Sequence, residues 1–116
     1  MPDLMLRRGD THVRPIIVAV GGVPKNLTGA TLWFTARRSV VDPEAVLSKS
    51  SLDGGIDIVD PGRGRAQLIL APADTANLDG EDLRLVYDIQ LEDGYGVRWT
   101  VATGRILIER DVTRSP

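Results

Sequence analysis

A chain of 116 residues with a formal net charge of -2 has room for one domain built around a single hydrophobic core. The acidic balance argues against a general nucleic-acid binder, because such proteins need a basic surface that displaces counterions from phosphates. The absence of cysteine excludes disulfide bonds and thiolate metal sites within the chain.

Short strands follow one another along the sequence. The first predicted strand, Ile16–Val20, is also the longest apolar run, and it is far too short to span a membrane. Thr31–Arg37 comes next and is rich in residues that favour strands. The further predicted strands are, in chain order, Ile56–Val59, Ala66–Leu70, Leu83–Glu92, Val97–Val101 and Arg105–Glu109.

Apolar residues recur with a period of two, which is typical of half-buried strands and which defines the predicted core. In Leu83–Glu92 this alternation puts Tyr87 and Ile89 on an apolar face, and Val86 is the exception on the polar face. The predicted core collects the inward residues of four strands, namely Leu32, Phe34, Leu68, Leu70, Tyr87, Ile89 and Ile106.

Glycine-rich turns separate these strands at regular intervals. They are Gly21-Gly22, Asp53–Gly55, Pro61–Gly64 and Asp93–Gly96. This spacing predicts an all-β fold of roughly seven to nine short strands, either a sandwich or a barrel. We expect an antiparallel two-sheet sandwich.

One segment has helical character. Pro72–Leu78 begins with proline, a favoured first helical residue, and is followed by Asp79-Gly80, so we predict a short helix that connects two strands. The ends, Pro2-Asp3 and Thr113–Pro116, are expected to be flexible arms. Residues 1–116 are therefore predicted to form a single β-sandwich domain with short flexible termini.

No group of residues has the pattern of a catalytic centre. His12 is the only histidine, so a catalytic triad or a histidine-rich metal site lacks its partners, and we interpret it as a solvated or capping residue. Asp79–Asp82 resembles part of a calcium loop but lacks the remaining ligands. We predict no enzyme activity, no cofactor and no metal. A hydrolase with a carboxylate pair stays open, because two acids can meet across a fold.

Four residues are candidates for a protein interface. Alternation in Thr31–Arg37 directs Trp33 away from the core, and tryptophan is enriched at interface hot spots, although a neighbouring segment of the chain could equally cover it. Arg37 ends the same strand, while Arg63 and Arg65 flank a tight turn. The nearby tripeptide Arg8–Asp10 matches an adhesion motif, but its glycine and aspartate are typical of a turn.

A series of short motifs extends over nearly the whole chain. They are Arg8–Thr11, Leu27–Thr31, Trp33–Arg38, Asp53–Ile56, Pro72–Ala76, Tyr87-Asp88 and Asp111–Arg114. In this order they resemble small tailed-phage proteins, and in particular the N-terminal domain of the phage baseplate upper protein family. The resemblance implies an immunoglobulin-like sandwich that is part of a virion. Members of that family continue into a long fibre-forming region, which these residues do not include, so we expect a stand-alone structural or adaptor role.

The resemblance also implies partners and location. It implies that the chain contacts other virion proteins in multiple symmetric copies, as a tail, baseplate, collar or capsid-surface adaptor. It implies no nucleic acid, no membrane and no small-molecule substrate as partners. It implies synthesis in the bacterial host cytoplasm and a final place in the virion. An alternative hypothesis is a carbohydrate- or protein-binding β-sandwich module outside any virion. Trp33, Tyr95 and Trp99 are the main aromatic candidates for a glycan platform.

Overall fold

The computed structural model of the chain describes residues 3–76, 78 and 82–109. Within these residues the chain forms ten strands, one α-helix (α1, Pro72–Ala76) and one 3-10 helix (Pro61–Arg63). The strands are β1 Leu4–Arg7, β2 His12–Ile17, β3 Ala19–Val20, β4 Val23–Pro24, β5 Thr31–Arg37, β6 Leu47–Ser50, β7 Ile56–Asp60, β8 Arg65–Leu70, β9 Leu83–Glu92 and β10 Arg98–Glu109. None of the helices in the described part is long and apolar enough to cross a membrane.

The strands form two main sheets. The five-stranded sheet has the order β1-β10-β9-β5-β6, and the three-stranded sheet has the order β2-β8-β7. The short strands β3 and β4 pair with each other around the Gly21-Gly22 turn. The buried side chains of both main sheets belong to one hydrophobic cluster, so the sheets share a core.

The period-two prediction of the core is confirmed. β5 and β9 alternate between buried and half-buried residues along their lengths, as strands do when one face is covered. Phe34 and Tyr87 lie at the centre with ring centroids 5.5 Å apart. Every residue of the predicted core is buried: Leu32, Phe34, Leu68, Leu70, Tyr87, Ile89 and Ile106.

The all-β prediction is confirmed, but the expected antiparallel arrangement needs one correction. β1 pairs with β10 in parallel, with Leu4 opposite Ile106 and Arg7 opposite Glu109. The first and last strands thus run side by side in the same direction. This pair was not predicted, because the four residues of β1 are too few to display a pattern.

Several strand boundaries also differ from the prediction. The predicted strands Val97–Val101 and Arg105–Glu109 are halves of the single long strand β10, which has a register shift between Thr100 and Ala102. The predicted strand Ile16–Val20 is divided between β2 and β3. The edge strand β6 was not predicted, because its sequence is largely polar. β1 and β4 were not predicted either, so the described part has ten strands, against an expected seven to nine.

The predicted connector helix is present as α1. One end of it is hydrogen-bonded to the turn between β1 and β2. The Thr75 hydroxyl is fully buried and accepts a hydrogen bond of 2.9 Å from the amide of Gly9, a turn residue with φ of 81°. Asp3, expected in a flexible arm, accepts a hydrogen bond of 3.1 Å from the Arg105 amide. The predicted arms at Pro2 and Thr113–Pro116, and the predicted helix end at Asp79-Gly80, lie outside the described residues.

Candidate protein-binding surface

The face of the five-stranded sheet that points away from the core is built from cross-strand rows. Because paired residues lie side by side, strand register brings together residues that are far apart in sequence. One row contains Met5, Leu107 and Arg84, and the adjacent row contains Arg105, Val86 and Arg37. We call this the outer face of the five-stranded sheet.

Trp33 lies on the outer face, as the alternation of β5 predicted, but another strand covers it. Its side chain is half-buried, and the guanidinium carbon of Arg98 on β10 lies 5.0 Å from the ring centroid. Arg98 also forms an ion pair of 2.9 Å with Glu92, which holds the guanidinium over the ring. The indole Nε1 is buried and has no hydrogen-bond partner among the residues that the structure describes. The ring edge is therefore less accessible than that of a free surface tryptophan.

A groove crosses the outer face at the end of the sheet away from Trp33. It consists of two adjoining concavities, of about 480 and 380 Å³, which share Asp3, Val86 and Arg105. Its apolar residues include Met5 and Val40, which are 60% and 85% exposed. An exposed apolar surface of this kind is typical of a binding site.

Four arginines line this groove, which we call the arginine groove: Arg37, Arg38, Arg84 and Arg105. The acidic residues that line it are Asp3 and Asp88, so its formal charge balance is +2, on a chain whose net charge is -2. None of the four guanidinium groups forms an ion pair or hydrogen bond with any described residue. The arginine groove is therefore a basic and partly apolar surface.

The four predicted interface residues do not meet in one place. Trp33 and Arg37 lie on the outer face of the five-stranded sheet. Arg63 belongs to the 3-10 helix. Arg65 is the exposed first residue of β8, a strand of the three-stranded sheet. The side chain of Arg63 is 72% exposed and pairs with Asp60 at 3.7 Å. Strand register thus separates the four residues between the two sheets.

Sequence reasoning missed Arg84 and Arg105 as site residues, although one signal for them was present. Val86 breaks the polar face of Leu83–Glu92, and in the structure it lies between Arg105 and Arg37 on the outer face. An apolar residue on a predicted polar face marks a surface patch. The neighbouring arginines come from other strands, so the patch becomes visible only with the sheet register.

His12 and Asp53 take structural roles. His12 is buried rather than solvated, and its ring bonds to the backbone of Arg7. Asp53 accepts hydrogen bonds from the amides of Gly55 and Ser50 at 2.7 and 3.1 Å, and these bonds lower the pKa of its carboxyl group. The described residues contain no group of three or more histidine, cysteine, aspartate or glutamate side chains that could hold a metal.

The adhesion-like tripeptide Arg8–Asp10 forms a turn, as the sequence indicated. The Asp10 amide donates a hydrogen bond of 3.2 Å to the carbonyl of Arg7, which closes the turn between β1 and β2. Gly9 has a φ of 81°, a conformation that glycine adopts without strain. These residues therefore connect the two sheets.

No protein-family model and no curated protein matches the sequence. Among solved structures, the N-terminal domain of ORF48 of phage TP901-1 is similar, with a TM-score of 0.51 and 15% identity over 93% of this chain and 83% of that domain. AggA, the major subunit of aggregative adherence fimbriae type I of Escherichia coli, gives a TM-score of 0.34 and 13% identity over 96% and 91% of the two chains, a value too low to compare folds. The chain therefore shares its fold with a phage protein domain.

Proposed function

We propose that the chain is a structural domain of a bacteriophage or phage-like virion, where it joins neighbouring proteins as a tail, baseplate, collar or capsid-surface adaptor. The observation that carries this proposal is the fold similarity to the N-terminal domain of a phage protein over 93% of the chain. The motif series that resembles the baseplate upper protein family supports the same role, and it favours an immunoglobulin-like arrangement of the sandwich.

The surface of the domain suits contacts with other proteins. The chain is acidic overall, which keeps free copies apart in solution, while the outer face of the five-stranded sheet carries exposed apolar and basic residues. Arg37 belongs to this surface, and Trp33 lies farther along the same strand. We therefore place the main contact on this face, with Arg63 and Arg65 as a separate candidate contact on the other sheet.

The alternative of a glycan-binding module has weaker support. A sugar platform requires two or more rings side by side, but Trp33 pairs with Gln90 on the outer face, whereas Trp99 pairs with Leu91 on the core face. Tyr95 is 95% exposed, at the turn between β9 and β10. The two tryptophans therefore cannot form one platform.

The direct test is the protein content of purified particles. Particles from a lysate of the cells that carry the gene are separated on a density gradient, and this chain and the major capsid protein are quantified by mass spectrometry. We expect the two to peak in the same fractions at a constant ratio. Absence of this chain from fractions that contain the capsid protein would contradict the proposal, and an abundant host protein serves as the marker for contamination.

A further inference from the structure

The chemistry of the arginine groove defines the class of segment that fits it. We propose that the arginine groove binds an extended segment of a partner protein that alternates carboxylate and apolar side chains. The proposal rests on the proposed role in protein assembly and adds the chemistry of the partner. It follows from three properties of the groove: its charge, its apolar floor and its shape.

The positive charge of the arginine groove favours a ligand that carries carboxylates. Four arginines face two aspartates in the groove, and Asp3 already accepts a hydrogen bond from the Arg105 amide. The guanidinium groups have no partner among the described residues, so they keep their donors for a ligand. A guanidinium presents a planar set of donors that matches a carboxylate, and such paired hydrogen bonds are stronger than neutral ones.

The apolar floor favours a protein segment over a nucleic acid. Val86 and Leu107 are half-buried between the arginines, and Met5 lies 60% exposed at the edge strand. Sugars and phosphates would leave these side chains without apolar contacts, whereas valine or leucine side chains of a peptide would cover them. The isolated apolar residues on an otherwise basic surface thus match a ligand that is both acidic and apolar.

The shape favours an extended segment. The two concavities are open and continuous, and they follow rows that cross from β1 to β5. In an extended peptide successive side chains point to opposite sides, so an alternating sequence turns its apolar groups to the floor and its carboxylates away from it. The long arginine side chains rise from the same face as the floor residues and reach those carboxylates with their guanidinium groups. A helix or a globular surface would not supply this alternation.

The test uses a defined probe with the full chain. A fluorescein-labelled peptide of alternating valine and glutamate, about ten residues long, is titrated with the protein at low ionic strength and followed by fluorescence anisotropy. We expect saturable binding that weakens as salt is added, because the interaction is largely electrostatic. A peptide with lysine in place of glutamate is expected not to bind.

Matched variants locate the binding. The double variant Arg84→Glu/Arg105→Glu is expected to weaken binding by about tenfold or more, because it replaces two attractive charges by repulsive ones. Arg63→Glu/Arg65→Glu makes the same change of net charge on the other sheet and is expected to leave the affinity within about twofold. Unchanged thermal melting of both variants shows that they are folded.

Each contrary result overturns the proposal. These are absence of saturable binding, an equal loss of affinity in both double variants, or binding of a thymidine oligonucleotide at least as tight as that of the peptide. None of them affects the particle-content test, so the groove can fail while the virion role stands. Conversely, a chain absent from particles that still binds the peptide through Arg84 and Arg105 would refute only the virion role.

Discussion

The imidazole of His12 lies against the backbone of Arg7, with Nε2 3.0 Å from the amide nitrogen and 3.1 Å from the carbonyl oxygen. The other ring nitrogen, Nδ1, lies 3.2 Å from the guanidinium of Arg14. The Arg7 amide donates to Nε2, so the imidazole binds the backbone at the end of β1. His12 begins β2 and Arg7 ends β1, so this contact joins the two sheets.

Replacing His12 tests how strongly this contact holds the sheets together. We expect His12→Ala to lower the free energy of unfolding by about 1–3 kcal/mol, because it leaves the part-buried amide of Arg7 without its acceptor. Urea denaturation measures the change. Val13→Ala is the matched control, since that neighbouring side chain is 47% exposed. Equal small losses in both variants would mean that the imidazole contact contributes little.

Among the glycines that the structure describes, Gly64 has the least room for an added methyl group. Its φ is +66°, and a Cβ there would collide with the carbonyl oxygen of Val18 and approach that of Lys25 to 2.8 Å. We expect Gly64→Ala to cost about 3 kcal/mol or more, measured as a fall in melting temperature and in denaturation midpoint. Gly62→Ala, in the same turn, brings its methyl group no closer than 4.0 Å to the Asp60 carboxylate and is expected to be nearly neutral. Similar stability of the two variants would refute the close approach.

We expect Tyr87 to make the folded state sensitive to alkali. Burial raises the pKa of its phenol, and the negative charge of Asp3 adds to the effect. Because the pKa is raised in the folded state, the unfolded chain loses the phenol proton at a lower pH than the folded protein does. The stability that the neutral phenol contributes is therefore fully present below about pH 10, and it is lost as the pH rises through the folded-state pKa. We expect stability to decrease with pH in this range.

The measurement is urea denaturation at several pH values from neutral to strongly alkaline. Tyr87→Phe is expected to flatten the alkaline decline, because the variant has no phenol to ionise at this buried position. Tyr95→Phe is the control, since that side chain is 95% exposed and its surroundings change little on unfolding. A decline as steep in Tyr87→Phe as in the parent protein would assign the alkaline sensitivity to other groups.

Trp33 is the residue for which stability and assembly can be separated. Because the ring is half-buried under Arg98, we expect Trp33→Ala to cost about 1–2 kcal/mol, below the roughly 3–5 kcal/mol of a buried aromatic such as Phe34. Combining it with Arg98→Ala in a double-mutant cycle should give a coupling of about 0.5–1 kcal/mol. Thermal melting and denaturation curves of the purified variants give the loss of stability and the coupling energy.

The same variant tests the predicted interface role of Trp33. If the ring anchors a neighbouring protein, Trp33→Ala lowers the amount of this chain in purified particles more than its modest loss of stability explains. Tyr95→Ala, which removes an exposed ring, is the control for the removal of a surface aromatic. A loss of stability as large as that of Phe34→Ala would place Trp33 in the core and end the anchor hypothesis.

The sequence predicted best those elements whose structure depends on local alternation. β5 and β9 have the predicted bounds, because a strand with one buried face must alternate over its whole length. β10 was predicted as two strands, since its register shift and Gly104 interrupt the apolar pattern. β1 and β6 were missed because edge strands of four residues are held by their neighbours rather than by their own pattern.

The candidate site was less predictable, because it depends on register. Arg37 was identified from its own strand, but its partners Val86 and Arg105 come from β9 and β10, and only the pairing of the three strands brings them together. Trp33 was correctly placed on the outer side of β5. Its cover by Arg98 could not be derived from the alternation of a single strand, since that residue reaches over from two strands away.

The parallel pairing of β1 with β10 determines how the domain carries mechanical load. Leu4 lies at the start of β1 and Glu109 at the end of β10, and the two strands run in the same direction. A pull applied at these two residues slides the strands past each other in shear, so the hydrogen bonds between them resist together instead of opening one by one. Tension along the chain is therefore opposed by the whole ladder at this edge of the sheet.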